Sequence, residues 1–341
     1  MKVLLIAGGG TLGVYTSQEL LRLGYDVDVI ALEAPESDDP RLRYIRTRAD
    51  DAFLAVHLAE NRYDAIVDFI HYPDPELYRP RCRLLLDSTE QLIFLSSYRV
   101  YADCVHPIRE TSPKLLEVCR DDAFLQAHDT YGLSKSRDEA VLRDTGRKNW
   151  TVVRPLISFS HYRFDLVTQG AGTLLVRPPQ RKPILLPADS AALTAGLTWA
   201  GNTGKMIAHL VHCEAALGEA YTLGAGESFT WREAAGYYTD LMGAEFVWVD
   251  TETYLRYATR EQPHDRVILC YDRLYDRAVD NAKILAATGL TAADFTPVRD
   301  ALAYELRYAA DHPDERLQRI LNSEGAALIN RRMDEYLQKN R

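Results

Sequence analysis

A short apolar run that stops at three consecutive glycines opens this chain: Lys2–Gly13 reads Lys-Val-Leu-Leu-Ile-Ala-Gly-Gly-Gly-Thr-Leu-Gly. Val3–Ile6 has no polar alternation, as expected of a strand buried on both faces, and the glycines permit a tight turn. Leu12, Thr16, Leu20 and Leu23 then recur at helical spacing, Gly24 stands where a C-cap glycine would, and Val27–Leu32 reads as a second strand. The unit is βαβ. Two overlapping glycine patterns fit it, Gly8-x-Gly10-x-x-Gly13 and the wider Ala7-x-x-Gly10-x-x-Gly13. Either sets backbone N–H groups and a helix N-terminus against the pyrophosphate of a dinucleotide, with Ala7, Gly10, Thr11, Leu12 and Gly13 as the contacting residues.

The same alternation continues. Leu42–Ile45 suits a third strand, Asp50–Asn61 a helix, Ala65–Ile70 a buried strand, the segment around Leu77 and Leu84–Leu86 a helix, and Gln91–Leu95 a fifth strand. Strands alternating with helices predict a Rossmann-type, doubly wound parallel α/β sheet with ligands beyond the strands' carboxyl ends. A carboxylate normally closes the second strand to hold the adenosine ribose. Ala31 occupies that position, and the nearest acid is Glu33, which serves either as the ribose ligand or as a solvated loop residue. No Arg follows the glycine turn or this strand to meet a 2′-phosphate. The expected cofactor is therefore NAD, with NADP left open.

The fifth strand ends in Ser96-Ser97-Tyr98-Arg99, and Thr130-Tyr131-Gly132-Leu133-Ser134-Lys135 opens a later helical stretch running to about Thr145. A spacing of four puts Tyr131 and Lys135 on one helix face. Tyrosine is a poor base near neutrality unless an ammonium stabilises its phenolate, which Lys135 could do while Ser97 binds a substrate oxygen. Tyr-x-x-x-Lys also arises by chance on helices; its position after a glycine turn and a strand-end serine gives it weight.

With these motifs the sequence resembles the extended short-chain dehydrogenase/reductase superfamily, in its NAD-dependent epimerase/dehydratase branch. Further matching segments are Val152-Val153-Arg154-Pro155, Gly218–Gly224, Thr230-Trp231-Arg232-Glu233, Tyr275-Asp276-Arg277 and Asp280–Lys283. The resemblance implies Tyr131 as general acid/base, Ser97 as donor to the substrate oxygen, and Lys135 as ribose anchor and phenolate stabiliser. It also implies hydride exchange at a carbinol or ketone carbon of a sugar-like substrate, by an epimerase or a reductase, in a homodimer paired through the helices near Leu84 and Tyr131–Thr145. Departures mark a divergent member. Ile157 replaces an Asn common among nucleotide-sugar binders, Tyr98-Arg99 replaces the acid pair of dehydratases, and Ala200-Gly201-Asn202 replaces a Val-Asp-Asp element. The alternative is a non-catalytic or regulatory dinucleotide-binding protein of the same fold.

Arg99 is a candidate for an anionic substrate group or an ordinary ion-pair partner; Tyr98 beside it and His161, past the Arg154-Pro155 strand, are further candidate substrate contacts. The chain divides into a dinucleotide-binding domain (1–155), a mainly substrate-binding region from which some elements return to the first sheet (156–312), and a helical extension (313–341). In that extension Leu317, Ile320, Leu321, Leu328, Ile329, Met333 and Tyr336 suit an amphipathic helix or helix pair.

With 40 Lys plus Arg against 49 Asp plus Glu, the net charge of −9 and the lack of a basic stripe argue against a nucleic-acid partner. No apolar run approaches the ~20 residues of a membrane span, and the N-terminal run is too short for a signal peptide. A cytoplasmic location is expected. Cys82, Cys104, Cys119, Cys213 and Cys270 have no metal-ligand spacing, so no metal is expected and the thiols are read as reduced.

Overall fold

The computed structural model describes residues 1–33, 37–224 and 226–340; Arg341, part of the extension delimited above, lies outside them. Seven parallel strands form the central sheet: β1 (Lys2–Ile6), β2 (Asp26–Ala31), β3 (Leu42–Arg46), β4 (Tyr63–Asp68), β5 (Thr89–Leu95), β6 (Trp150–Pro155) and β7 (Glu219–Leu223). Their spatial order is β7-β6-β5-β4-β1-β2-β3. The sequence order runs outward both ways from β1 and β4, and the crevice at this switch point opens at the carboxyl ends of the strands. The register aligns Leu5 with Val29, and Val153 with Tyr221. Val3, Leu4, Leu5 and Ile6 are completely buried, which explains the unbroken apolar run of β1.

Helices cover both faces. On one side α1 (Thr11–Arg22) packs with a later helix, Ala200–Leu210, and Leu20, Met206, Ile207 and Leu210 cover Val3, Leu5, Val27 and Val29. The two helices touch closely, since a Cβ on Gly204 would lie 2.7 Å from the backbone N of Thr16. On the other side α2 (Asp51–Glu60) and α3 (Pro75–Asp87) supply Leu54, Leu58, Tyr78 and Leu85 against Leu4, Ile6 and Ile30. Each such side chain contributes about 1.5–3 kcal/mol by leaving water.

Helix α4 (Gly132–Asp144) follows β5, and β7 returns to the sheet beside β6 after an insertion of more than sixty residues. That insertion and the segments after β7 form a second core around Phe159, Leu174, Leu185, Trp231, Tyr238 and Tyr254. The capping box expected at Thr230–Glu233 is present and starts the helix Trp231–Met242. The extension from residue 313 begins after the helix Val298–Asp311 and forms two helices, α5 (Glu315–Leu321) and α6 (Glu324–Lys339). They are clamped to the second core: Met333 is fully buried, and Arg177 donates to the carbonyl of Asn330 at 3.0 Å and pairs with Asp334 at 2.9 Å. Among the described residues no helix is long and apolar enough to cross a membrane.

Candidate functional site

The glycine loop uses both sequence patterns. Ala7 adopts φ +57°, the left-handed conformation that turns the chain out of β1, so it serves as the first position of the wider pattern. Gly8 and Gly13 lie back to back: a Cβ on Gly13 would fall 2.2 Å from the Gly8 carbonyl oxygen, and one on Gly8 2.8 Å from Leu5 Cβ. Gly10 is the N-cap of α1 and offers no side-chain acceptor, so the helix's first N–H groups stay open; a Cβ there would meet nothing within 4 Å. Thr11 Oγ1 accepts from Ser160 Oγ at 3.2 Å, joining the loop to the second core.

A cleft of about 840 Å³ opens from this loop and runs past Ala31, Glu33, Arg48 and His71. A second cleft of about 710 Å³ lies on the α1 side and meets the first at Gly9, Glu33 and Arg316. Arg316 of α5 donates to the Gly9 carbonyl at 3.1 Å, and Arg319 pairs with Glu33 at 3.0 Å.

Ser97, Tyr131 and Lys135 lie at the carboxyl ends of β4 and β5. Ser97 Oγ accepts from the backbone N–H of Arg99 at 3.2 Å. The Asp129 carboxylate accepts from the backbone N–H groups of Tyr131, Gly132 and Leu133 at 2.9–3.1 Å, and thereby sets where α4 begins. The Tyr131 ring sits 4.9 Å from the His71 ring and 5.2 Å from the Arg99 guanidinium. Lys135 is only 1% exposed, and its ammonium donates to the carbonyls of Ile70 and Leu95 at 2.9 and 2.6 Å. Burial pushes its pKa down, opposed by the nearby Asp68, Asp138 and Glu139. Burial and the Lys135 charge lower the pKa of His71, whose Nε2 donates to the Thr130 carbonyl at 3.0 Å.

The candidate substrate residues are tied to neighbours. Tyr98 is buried, and its hydroxyl accepts from Arg273 Nη1 at 3.0 Å. Arg99 stands 3.6 Å from Asp129 and 3.5 Å from Asp272, the latter also held by Arg277 at 3.0 Å. His161 donates through its backbone N–H and Nδ1 to Glu305 Oε2, at 2.8 and 2.9 Å, while Trp199 and Tyr15 donate to the other oxygen. Behind the strand ends Glu139 takes a paired bond from Arg154, at 2.6 and 2.8 Å, and one from Ser96 at 2.6 Å. Asp129, Asp272, Glu305, Arg316 and Arg319 escaped the sequence reading. Asp129 was discoverable, because an acid ahead of a helix is a capping signal; the others are brought in from distant parts of the chain.

No family model and no curated protein matches the sequence. Solved structures do match in fold. UDP-glucuronic acid 4-epimerase from Bacillus cereus, determined with UDP-glucuronic acid and NAD, superposes with a TM-score of 0.65 at 14% identity, over 91% of this chain and 99% of that one. UDP-glucose-4-epimerase from Stenotrophomonas maltophila, with NAD and formylated UDP-arabinopyranose, gives 0.66 at 14%, over 91% and 98%. WbmG from Bordetella bronchiseptica, with NAD, gives 0.65 at 16%, over 92% and 94%. Over nearly its whole length the chain therefore has the Rossmann-type fold of these solved structures, two of which are NAD-bound epimerases.

Proposed function

We propose that this chain is an NAD(P)-dependent epimerase or oxidoreductase acting on a carbinol or ketone carbon of a sugar-like substrate. The observation that carries the reading is the glycine loop. Its left-handed turn, its capless helix start at Gly10 and the adjoining cleft fit a dinucleotide pyrophosphate, which the N–H groups and dipole of α1 stabilise. When bound, the nicotinamide supplies the hydride acceptor and donor. The structural neighbours determined with NAD and UDP-sugars support this cofactor and, for the substrate, a nucleotide sugar.

The side chains divide the remaining work. Ser97 Oγ already accepts from Arg99, so its own hydrogen is available to a substrate oxygen. The Tyr131 hydroxyl transfers the proton at that oxygen. Lys135 holds the ends of β4 and β5 together through two carbonyls and keeps a positive charge beneath the site. A second reading, dinucleotide binding without turnover, is favoured by the Tyr98, Arg99, Asp272 and Arg273 network, which occupies polar groups a substrate would otherwise engage.

Calorimetric titration with NAD and NADP, followed by a screen of UDP-sugars, tests both. On the catalytic reading Tyr131→Phe lowers turnover by ~10²-fold or more while dinucleotide binding persists. Near-normal turnover in that variant would remove Tyr131 from its role. Binding with no turnover across the screen would favour the second reading.

A further inference from the structure

The adenosine ribose of a dinucleotide lies over the end of the second strand, where a carboxylate selects the free 2′-hydroxyl and an arginine accommodates a 2′-phosphate. Here β2 ends in Ala31, and Arg46 is its register partner on β3. Glu33, the nearest acid, is paired with Arg319. Arg316 sits between the two clefts, one guanidinium nitrogen on the Gly9 carbonyl and the plane 4.2 Å from the centre of the Tyr162 ring. Arg46, Arg316 and Arg319 therefore border one cavity, which meets the cleft lined by Ala31 at Gly9, Glu33 and Arg316. Two of the three come from α5, more than three hundred residues from the glycine loop.

Resting on the dinucleotide reading above, we infer that the cleft accepts a 2′-phosphorylated dinucleotide, with Arg319, Arg316 and Arg46 as the residues that recognise the phosphate. Arginine suits this role because its planar fork donates two hydrogen bonds to one phosphate. The Glu33–Arg319 pair is solvent-exposed, with side chains 60% and 63% accessible, so it holds little energy and Arg319 can turn to share its guanidinium between carboxylate and phosphate. While paired, Glu33 neither repels the phosphate nor competes for the ribose. Of the other acids on this cavity, Asp314 is engaged by Leu317 N–H and the Tyr162 hydroxyl, and Glu315 lies in the first turn of α5.

The test is parallel calorimetric titration of the full chain with NAD, NADP and 2′,5′-ADP at two salt concentrations. The expected result is NADP binding at least as tightly as NAD, with the steeper salt dependence, and measurable binding of 2′,5′-ADP. Arg319→Ala should weaken NADP relative to NAD by about tenfold, because it removes a phosphate ligand and releases Glu33. Adding Glu33→Gln to that variant should recover part of the loss. NAD bound tenfold or more tightly than NADP by the starting protein, or a ratio unmoved by Arg319→Ala, would overturn the inference and leave the dinucleotide reading standing. Failure of both dinucleotides to bind would overturn the two together.

Discussion

Replacing Ala7 with glycine should make the protein more stable, an unusual expectation for an alanine-to-glycine change. Ala7 is held at φ +57° with its side chain exposed in the loop. A Cβ in that conformation costs roughly 1–2 kcal/mol. Glycine removes that strain but loosens the unfolded chain, a penalty of about 0.5–1 kcal/mol. Because the methyl is exposed, little apolar contact is lost, and the net gain is about 0.5–1 kcal/mol, equivalent to roughly 1–3 °C in melting temperature. Gly13→Ala provides the contrast, since its methyl would lie 2.2 Å from the Gly8 oxygen and 2.4 Å from Gly8 Cα, which are backbone atoms. That overpacking should cost about 1–3 kcal/mol and weaken dinucleotide binding by distorting the loop. Urea unfolding with calorimetric titration on both variants reads the two effects. An Ala7→Gly protein less stable than the starting chain would refute the left-handed turn and the assignment of Ala7 to the first motif position.

Two further perturbations test the half-buried and buried charges behind the site. Burial pushes Lys114 down to about 7, and the neighbouring Arg154 pushes it the same way. A lysine depressed in the folded state contributes stability that is complete above its ordinary value and is lost as pH falls through about 7. The urea midpoint should therefore decline from pH 9.5 to 7, and Lys114→Met should flatten that slope; a slope surviving the substitution would place its origin elsewhere. Glu139→Gln leaves the buried Arg154 without its carboxylate and should cost about 3–5 kcal/mol in a thermal melt. A loss under about 1 kcal/mol would mean that Arg154 finds another partner or reaches water.

Where the fold was legible, the reason is local physics. The apolar run of β1, the three glycines and the helical spacing of α1 all lie in the one stretch Lys2–Arg22, and their reading matches the structure. Strand limits were less legible. The apolar series Ala65–Ile70 extends beyond β4, which ends at Asp68, because the Asp68 carboxylate accepts the Ile70 N–H at 3.0 Å and bends the chain out of the sheet. The final strand of the sheet, β7, falls within the family-like segment Gly218–Gly224, but its place beside β6 depends on a pairing across more than sixty intervening residues. No periodicity carries that information.

The site divides along the same line. Ser97, Tyr131 and Lys135 could be named because one strand end and one helix turn define them, whereas the destination of the Lys135 ammonium depended on the carbonyls of Ile70, just past β4, and Leu95, at the end of β5. The extension shows how a correct local reading can conceal a functional consequence. Its amphipathic pattern implied one helix or a helix pair packed on the surface, and Leu317 and Met333 are indeed buried against the second core. An apolar stripe, however, specifies only the face that docks. The polar side chains of α5 are thereby aimed across the dinucleotide cleft, and a sequence comparison of cofactor preference confined to the glycine turn and the second strand counts Glu33 without its partner. With Arg319 included, the charge beside Ala31 is balanced, and the preference between the two dinucleotides passes from the N-terminal motif to the last helices of the chain.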